Sequence, residues 1–262
     1  MSDDDRGLIV IVVGVVTLWV AFGDQLVRFL RPETGKWLIM AGLALVAVGV
    51  AHVVMVHRER RSAASDDHED HDAHEGHGHG HGSRYVGWML LAPVVVLLVA
   101  QPGALGSYAV DRSAAGRLPS GVATFDLEEQ IRLHSIGGQA VPLTVLHLWT
   151  AVRDEEERAL LDGVPIRFDA FVVEPEEDGE MVVARIMVGC CAGDAMALTT
   201  QLEGYDGELP ETDTWVSVEG ELDIPATLAG ADPEGRRLTE PVVRVRSVTP
   251  ISEPELPYLF PN

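Results

Sequence analysis

Three apolar runs crowd the stretch before Gly106, and they constrain this chain more than any other feature. Leu8 to Phe22 reads LIVIVVGVVTLWVAF; with Gly7 and Gly23 it reaches the lower limit of the about 17–25 residues that a membrane-crossing helix needs. Trp37 to Val56, WLIMAGLALVAVGVAHVVMV, is a full-length span. The third runs from Val86 to Ala100 and extends to Leu105 through Gln101 and Pro102. Trp19, Trp37 and Trp88 stand near the ends of the runs, where an indole prefers the headgroup region. A buried helix in a soluble core accounts for one such run, not for three. A cleaved signal peptide does not fit the first, because MSDDDR is acidic and no small-x-small cleavage site follows. Residues 7–23, 37–56 and 86–105 are therefore expected to form three retained transmembrane helices in a lipid bilayer, within an anchor over residues 1–106.

Charge is segregated along the same boundary. The chain has 41 Asp and Glu against 19 Lys and Arg, a net charge of −22. Twelve acidic and 8 basic residues precede position 107, which leaves 29 and 11 beyond it, or −18. Nucleic-acid affinity rests on neutralising phosphates with Lys and Arg, so an RNA or DNA partner is not expected. With two adjacent cysteines in the chain, a disulfide scaffold and a multi-cysteine zinc site within one chain are both excluded.

Basic residues do not decide orientation by number. Arg6, Arg58, Arg60, Arg61 and Arg84 face one side; Arg28, Arg31, Lys36, Arg112 and Arg117 face the other. The tightest cluster, HRERR directly after the second span, places the amino terminus and the second loop in the cytoplasm. Three spans then put the carboxyl-terminal domain outside it. The protein is read as a multi-pass protein of the cell membrane.

The loop between the second and third spans, residues 62–84, carries His68, His71, His74, His77, His79 and His81 among six carboxylates. It has almost no apolar residue to offset the entropy of ordering, so it is expected to be disordered. Imidazoles with interspersed carboxylates suit zinc, nickel or copper, held loosely through alternative ligand sets.

Residues 107–124 read as a Gly- and small-residue linker, and 125–262 as a soluble acidic domain. FDLEEQIR fits either a short strand or a helical turn. Val145, Leu148, Trp149 and Val152 repeat at helical spacing behind Thr144, and the helix is expected to break before Leu160. Five strand patterns follow: PIRFDAFVVEP, MVVARIMVGCC, ALTTQLEG, TDTWVSVEGELD and PVVRVRSVTPIS. In the fourth, Trp215, Ser217 and Glu219 alternate against Val216, Val218 and Gly220. In the fifth, Val243, Val245 and Ser247 oppose Val242, Arg244, Arg246 and Val248. The fold class expected is an α-helical membrane anchor followed by a mainly-β domain, a small antiparallel barrel like the oligomer-binding (OB) fold, preceded by a helix.

Cys190 and Cys191 close the second strand pattern, with Asp194 shortly after. Neighbours on a strand point to opposite faces, so at most one thiol enters a barrel. Two readings stand beside each other. Both thiols are small buried hydrophobes, which spacing alone favours, or they join Asp194 in a soft-metal or zinc site completed by a second chain or a distant residue such as His134 or His147. A catalytic thiol has less support, because acidic surroundings raise a thiol pKa.

The order of parts resembles the YcgQ-type family of bacterial membrane proteins, described as permease subunits. The resemblance rests on amino-terminal spans, a His-rich loop before the last of them, the QPGALGS segment, Cys-Cys-x-x-Asp-Ala at Cys190, Cys191, Asp194 and Ala195, and the later TWVSVEGEL and PELPYLF. Gly193 stands where the resemblance leads one to expect Ala. It implies an accessory subunit working beside a larger multi-span permease. A metal-binding or metal-buffering protein independent of a permease is the alternative, and a membrane-anchored thiol oxidoreductase a further one. With no phosphate-cradling loop, nucleophile elbow or H-E-x-x-H, the chain is expected not to be an enzyme.

Overall fold

The computed structural model describes residues 3–23, 26–65, 89, 92, 96, 103–110, 112, 126–135, 138–173, 181–207, 210–229 and 240–261. His68, His71, His74, His77, His79 and His81 lie outside the described residues, as do most of the third apolar run and of the linker. The chain divides into two compact units: Met1–Leu26 with Pro32–Gly103, and Val27–Arg31 with Ala104–Asn262.

In the first unit, α1 (Asp3–Phe22) and α3 (Gly35–Ser65) are both long and apolar enough to cross a membrane. Between them lie the short α2 (Leu26–Phe29) and a 3-10 turn at Pro32–Thr34. Two apolar runs thus become helices, and the second continues beyond Val56 through HRERR into the start of the second loop. Arg, Glu and Ala are good helix formers and nothing there breaks the helix. Glycines seven residues apart on each helix let the two backbones approach. A Cβ at Gly14 would meet Val46 Cγ2 at 2.8 Å and the Gly42 carbonyl at 3.0 Å; one at Gly49 would meet Ile11 Cγ1 at 2.7 Å and the Gly7 carbonyl at 3.0 Å. Gly7 with Gly49 and Gly14 with Gly42 make the pair antiparallel, the small-residue contact by which helices associate where no hydrophobic drive acts between them. The remaining apolar surface points outward, with Trp37 65% and Met40 62% exposed, more than a water-facing helix hairpin would leave uncovered.

The second unit is built on a closed five-stranded OB-like barrel. Its strands are β2 (Pro165–Val172), β3 (Met181–Met187), β4 (Met196–Glu203), β5 (Trp215–Leu222) and β6 (Val242–Pro250), joined in the order β2-β5-β6-β4-β3 and back to β2. The expected all-antiparallel barrel is corrected at one seam: β4 and β6 run parallel, Leu202 opposite Val243. The other four seams are antiparallel. Two short strands, β1 (Val141–Pro142) beside β2 and β7 (Tyr258–Leu259) beside β3, extend the sheet in parallel.

Alternation fills the barrel. Ile166, Phe168, Val183, Leu198, Val216 and Val243 are buried in one core. β5 keeps the expected period, Val216 and Val218 buried between half-buried neighbours. β6 does not. Glu219 faces Ser247 while Gly220 faces Val245, so Arg246 is an extra residue, and past this bulge Val248 packs on the core with Val245 instead of sharing the arginine side. Strict alternation cannot foresee a bulge, which flips every later side chain.

Helices cover the barrel. FDLEEQIR resolves as helix α5 (Leu127–Ser135), because the Asp126 carboxylate accepts the Glu129 N–H at 2.9 Å and caps it. The expected helix behind Thr144 is α6 (Val145–Ala151). The break comes earlier than Leu160, since Asp154 accepts the Glu156 and Glu157 N–H groups and caps a new helix, α7 (Glu155–Leu160). From α6, Trp149 Nε1 donates to the Thr199 carbonyl of β4 at 2.6 Å while its ring joins the core. A last short helix, α8 (Ile224–Ala229), follows β5.

A second, smaller core lies around Phe171, Ala184, Ile186, Val188 and Tyr258, with Ala104, Leu105, Ala109 and Val110 packed against it. The Leu105 N–H donates to the Tyr258 hydroxyl at 2.9 Å. The barrel unit therefore starts at Ala104, and α4 (Ser107–Val110), assigned from composition to the linker, is part of it. Small residues without periodicity read as linker, yet Ala and Val pack once a tertiary surface meets them.

Candidate functional site

The loop from Val188 to Ala195 joins β3 to β4. Gly189 opens it, because a Cβ there would lie 3.0 Å from an Asp194 carboxylate oxygen. A 3-10 turn at Ala192–Asp194 then folds Asp194 back over the loop. Its Oδ1 accepts the N–H of Gly189 at 3.0 Å and of Cys191 at 3.4 Å, and its Oδ2 that of Cys190 at 2.8 Å. One carboxylate so gathers three consecutive amides. β3 ends at Met187, so the rule of opposite strand faces does not govern the thiols.

Neither cysteine is a buried hydrophobe: Cys190 is exposed, Cys191 half-buried, and both are free thiols. Donor atoms of Cys190, Cys191 and Asp194 all lie within 4.8 Å of one another. The structure brings together the three residues singled out by the sequence. The neighbouring Asp194 hydrogen bond, then the Cys191 side chain and the two negative charges, push the Cys190 thiol up to about 11. Burial alone would raise the Asp194 carboxyl, but the hydrogen bonds from the Cys190 thiol and the three amides outweigh it and hold it below the usual carboxylate range. At neutral pH the loop thus holds a carboxylate beside a protonated Cys190, a poor nucleophile.

His134 and His147 do not complete the cluster. His134 Nδ1 lies 2.9 Å from the Gln130 carbonyl in α5. His147 closes a capping box on α6: its Nδ1 accepts the Thr144 N–H at 3.1 Å, while its own N–H donates to Thr144 Oγ1 at 3.2 Å. Burial pushes His147 down to about 4. The unfolded chain therefore takes up this proton first, and stability is expected to fall as pH drops from about 6.5 to about 4, with no contribution from this group above 6.5. His147→Gln, which keeps an acceptor for the cap without titrating, is expected to flatten that limb of a thermal-unfolding profile; an unchanged pH dependence would assign the limb to other groups.

The sequence gives no local signal for the residues that hold the loop from behind. Leu30 forms an antiparallel bridge with Cys191, and the Arg31 N–H donates to the Cys190 carbonyl at 3.3 Å.

Residues 159–261 match the model of the DUF1980 C-terminal domain. The matched stretch takes in all five barrel strands and the Cys-Cys-Asp loop, and leaves out α1, α3 and α6; the family is one of unknown function. No curated protein matches the chain. Among solved structures, the telomere capping protein Ten1 from Saccharomyces pombe is similar at 12% identity over 43% of this chain and 81% of its own, with a TM-score of 0.24. At Gly193, within the matched stretch, the Ala that the motif leads one to expect would fit. A Cβ there would lie 3.6 Å from Cys191 Sγ, an ordinary contact.

Proposed function

We propose that this protein is a membrane-anchored accessory subunit of a permease whose DUF1980 domain binds zinc or a similar soft divalent cation at Cys190, Cys191 and Asp194. The observation that carries the metal reading is the convergence of two thiols and a carboxylate within 4.8 Å on an accessible loop. Two sulfurs and one oxygen suit a thiophilic divalent ion, with a fourth position left for water, a transported species or a partner. The excess of −18 over the soluble part favours a cation or a basic partner surface.

Membrane anchoring is supported by the outward apolar faces of α1 and α3, and the accessory role by the resemblance to permease subunits. The charged residues of α1 and α3 stand at the helix ends, which favours an accessory role over an ion pathway within these two helices. The His-rich loop with His68, His71, His74, His77, His79 and His81 adds weak, many-sited binding.

Zinc titration of the detergent-solubilised full chain tests the reading. Cys190→Ser/Cys191→Ser is expected to lose the tight, stoichiometric site and a deletion of residues 68–81 only the weak sites; unchanged stoichiometry in both ends the metal proposal. Recovery as a lone monomer in gentle detergent from native membranes ends the accessory proposal.

A further inference from the structure

The segment Val27–Arg31 lies between α1 and α3 in sequence, yet it belongs to the barrel unit. Four contacts tie it there. Leu30 bridges Cys191, and the Arg31 N–H reaches the Cys190 carbonyl. The Arg31 guanidinium donates to the Pro261 carbonyl at 3.0 Å, and Arg28 lies 3.9 Å from Glu253. Two of the four fall on the backbone of the residues that supply the thiols.

We propose that Val27–Arg31 is a metal-responsive arm: its docking on the Cys-Cys-Asp loop and the loading of that loop with a soft divalent cation are thermodynamically linked. The proposal rests on the metal reading above. With the arm docked, the three donor atoms already lie within 4.8 Å. Zinc–sulfur bonds of about 2.3 Å in a tetrahedral site put two sulfurs about 3.8 Å apart, so closure needs a contraction of at most about 1 Å. The peptide between Cys190 and Cys191 sets the direction of both side chains. Asp194 fixes that peptide through the Cys191 N–H, and the arm fixes it through the Cys190 carbonyl.

An undocked arm leaves the carbonyl to water and the loop freer to spread, and binding then carries the entropy of ordering it again. By linkage, whatever the docked arm adds to cation affinity the cation adds to docking. The step is ligand exchange without redox change: the thiol protons pass to solvent as sulfur–metal bonds form.

Hydrogen exchange read by mass spectrometry on the detergent-solubilised full chain, with and without zinc, tests the link. Zinc is expected to slow exchange at the amides of residues 28–31 as well as 190–194 by about tenfold, the scale of one or two hydrogen bonds, and to leave Cys190→Ser/Cys191→Ser unaffected. Calorimetric zinc affinity is expected to fall about tenfold in Arg28→Ala/Arg31→Ala and further in Arg31→Pro, which lacks the N–H. Should a variant fail to fold, the wild-type exchange decides alone. Zinc binding at the cysteines with unchanged arm exchange overturns the link and leaves the metal reading standing; no zinc binding by the wild type overturns both.

Discussion

Asp194→Ala is expected to weaken zinc binding by about 100-fold while making Cys190 more reactive. The carboxylate has two roles in the loop. On the proposed metal reading it is the hard ligand of the cluster, and as an acceptor it gathers the N–H groups of Gly189, Cys190 and Cys191. Loss of an orienting group costs a metal site about 10–100-fold, and loss of a ligand as well places this variant at the upper end. Fold stability should change little, by roughly 1 kcal/mol or less, since the released amides are exposed and pass to water. Without its charge and hydrogen bond, the Cys190 thiol falls from about 11 towards the ordinary cysteine value. Alkylation by iodoacetamide at pH 7.5 should then accelerate about tenfold, the gain in thiolate being partly offset by its lower nucleophilicity. Weaker zinc binding with slower alkylation would contradict the position assigned to Asp194. Asp194→Asn, which keeps an amide acceptor without the charge, should fall between wild type and Ala on both readouts.

Gly220→Ala is expected to destabilise the barrel by about 3 kcal/mol, the upper range for an overpacked site. The added Cβ would lie 2.4 Å from the Arg244 carbonyl oxygen and 2.8 Å from Val243 Cγ1. The first obstacle is backbone on the partner strand, which cannot rotate away. Gly220 sits at the β5–β6 bulge, where the ladder brings the strands closer than side chains allow. Gly193→Ala serves as the matched control, because its Cβ meets only a sulfur at 3.6 Å and should alter stability by less than about 0.5 kcal/mol. Thermal unfolding of the full chain in detergent, followed through tryptophan fluorescence, separates the two variants. A Gly220→Ala protein that melts with wild type would mean that the bulge relaxes.

The parts of this molecule legible from sequence are those set by short-range physics. A run of apolar residues long enough to cross a bilayer needs no partner to be recognised, and α1 and α3 follow from it. Thr144 caps α6 because its hydroxyl reaches an amide three residues away, and β5 alternates because neighbouring side chains on a pleated strand must face opposite ways. The Cys-Cys-x-x-Asp spacing is short enough that one turn unites its donors. Burial of the thiols is the exception. A strand pattern extended to Cys191 sends one thiol inward, whereas the chain turns at Gly189 and leaves Cys190 in solvent.

Other features depend on pairings that no local pattern encodes. That β6 returns parallel to β4 is a choice among barrel closures, since residues 242–250 show the same alternation in either direction. The bulge at Gly220 reverses the facing of Val248 only because β5 and β6 are locked in one register. Leu30 and Arg31 look like an ordinary turn between two spans until the β3–β4 loop lies beside them. Sequence by itself thus determined α1, α3 and α6, the five barrel strands and the closeness of Cys190, Cys191 and Asp194, each an outcome of side-chain polarity and spacing over a few residues. Tertiary structure alone decided the parallel seam, the recruitment of residues 104–110 to the barrel and the docking of Val27–Arg31 on the thiol loop, because those contacts join backbone groups far apart in the chain.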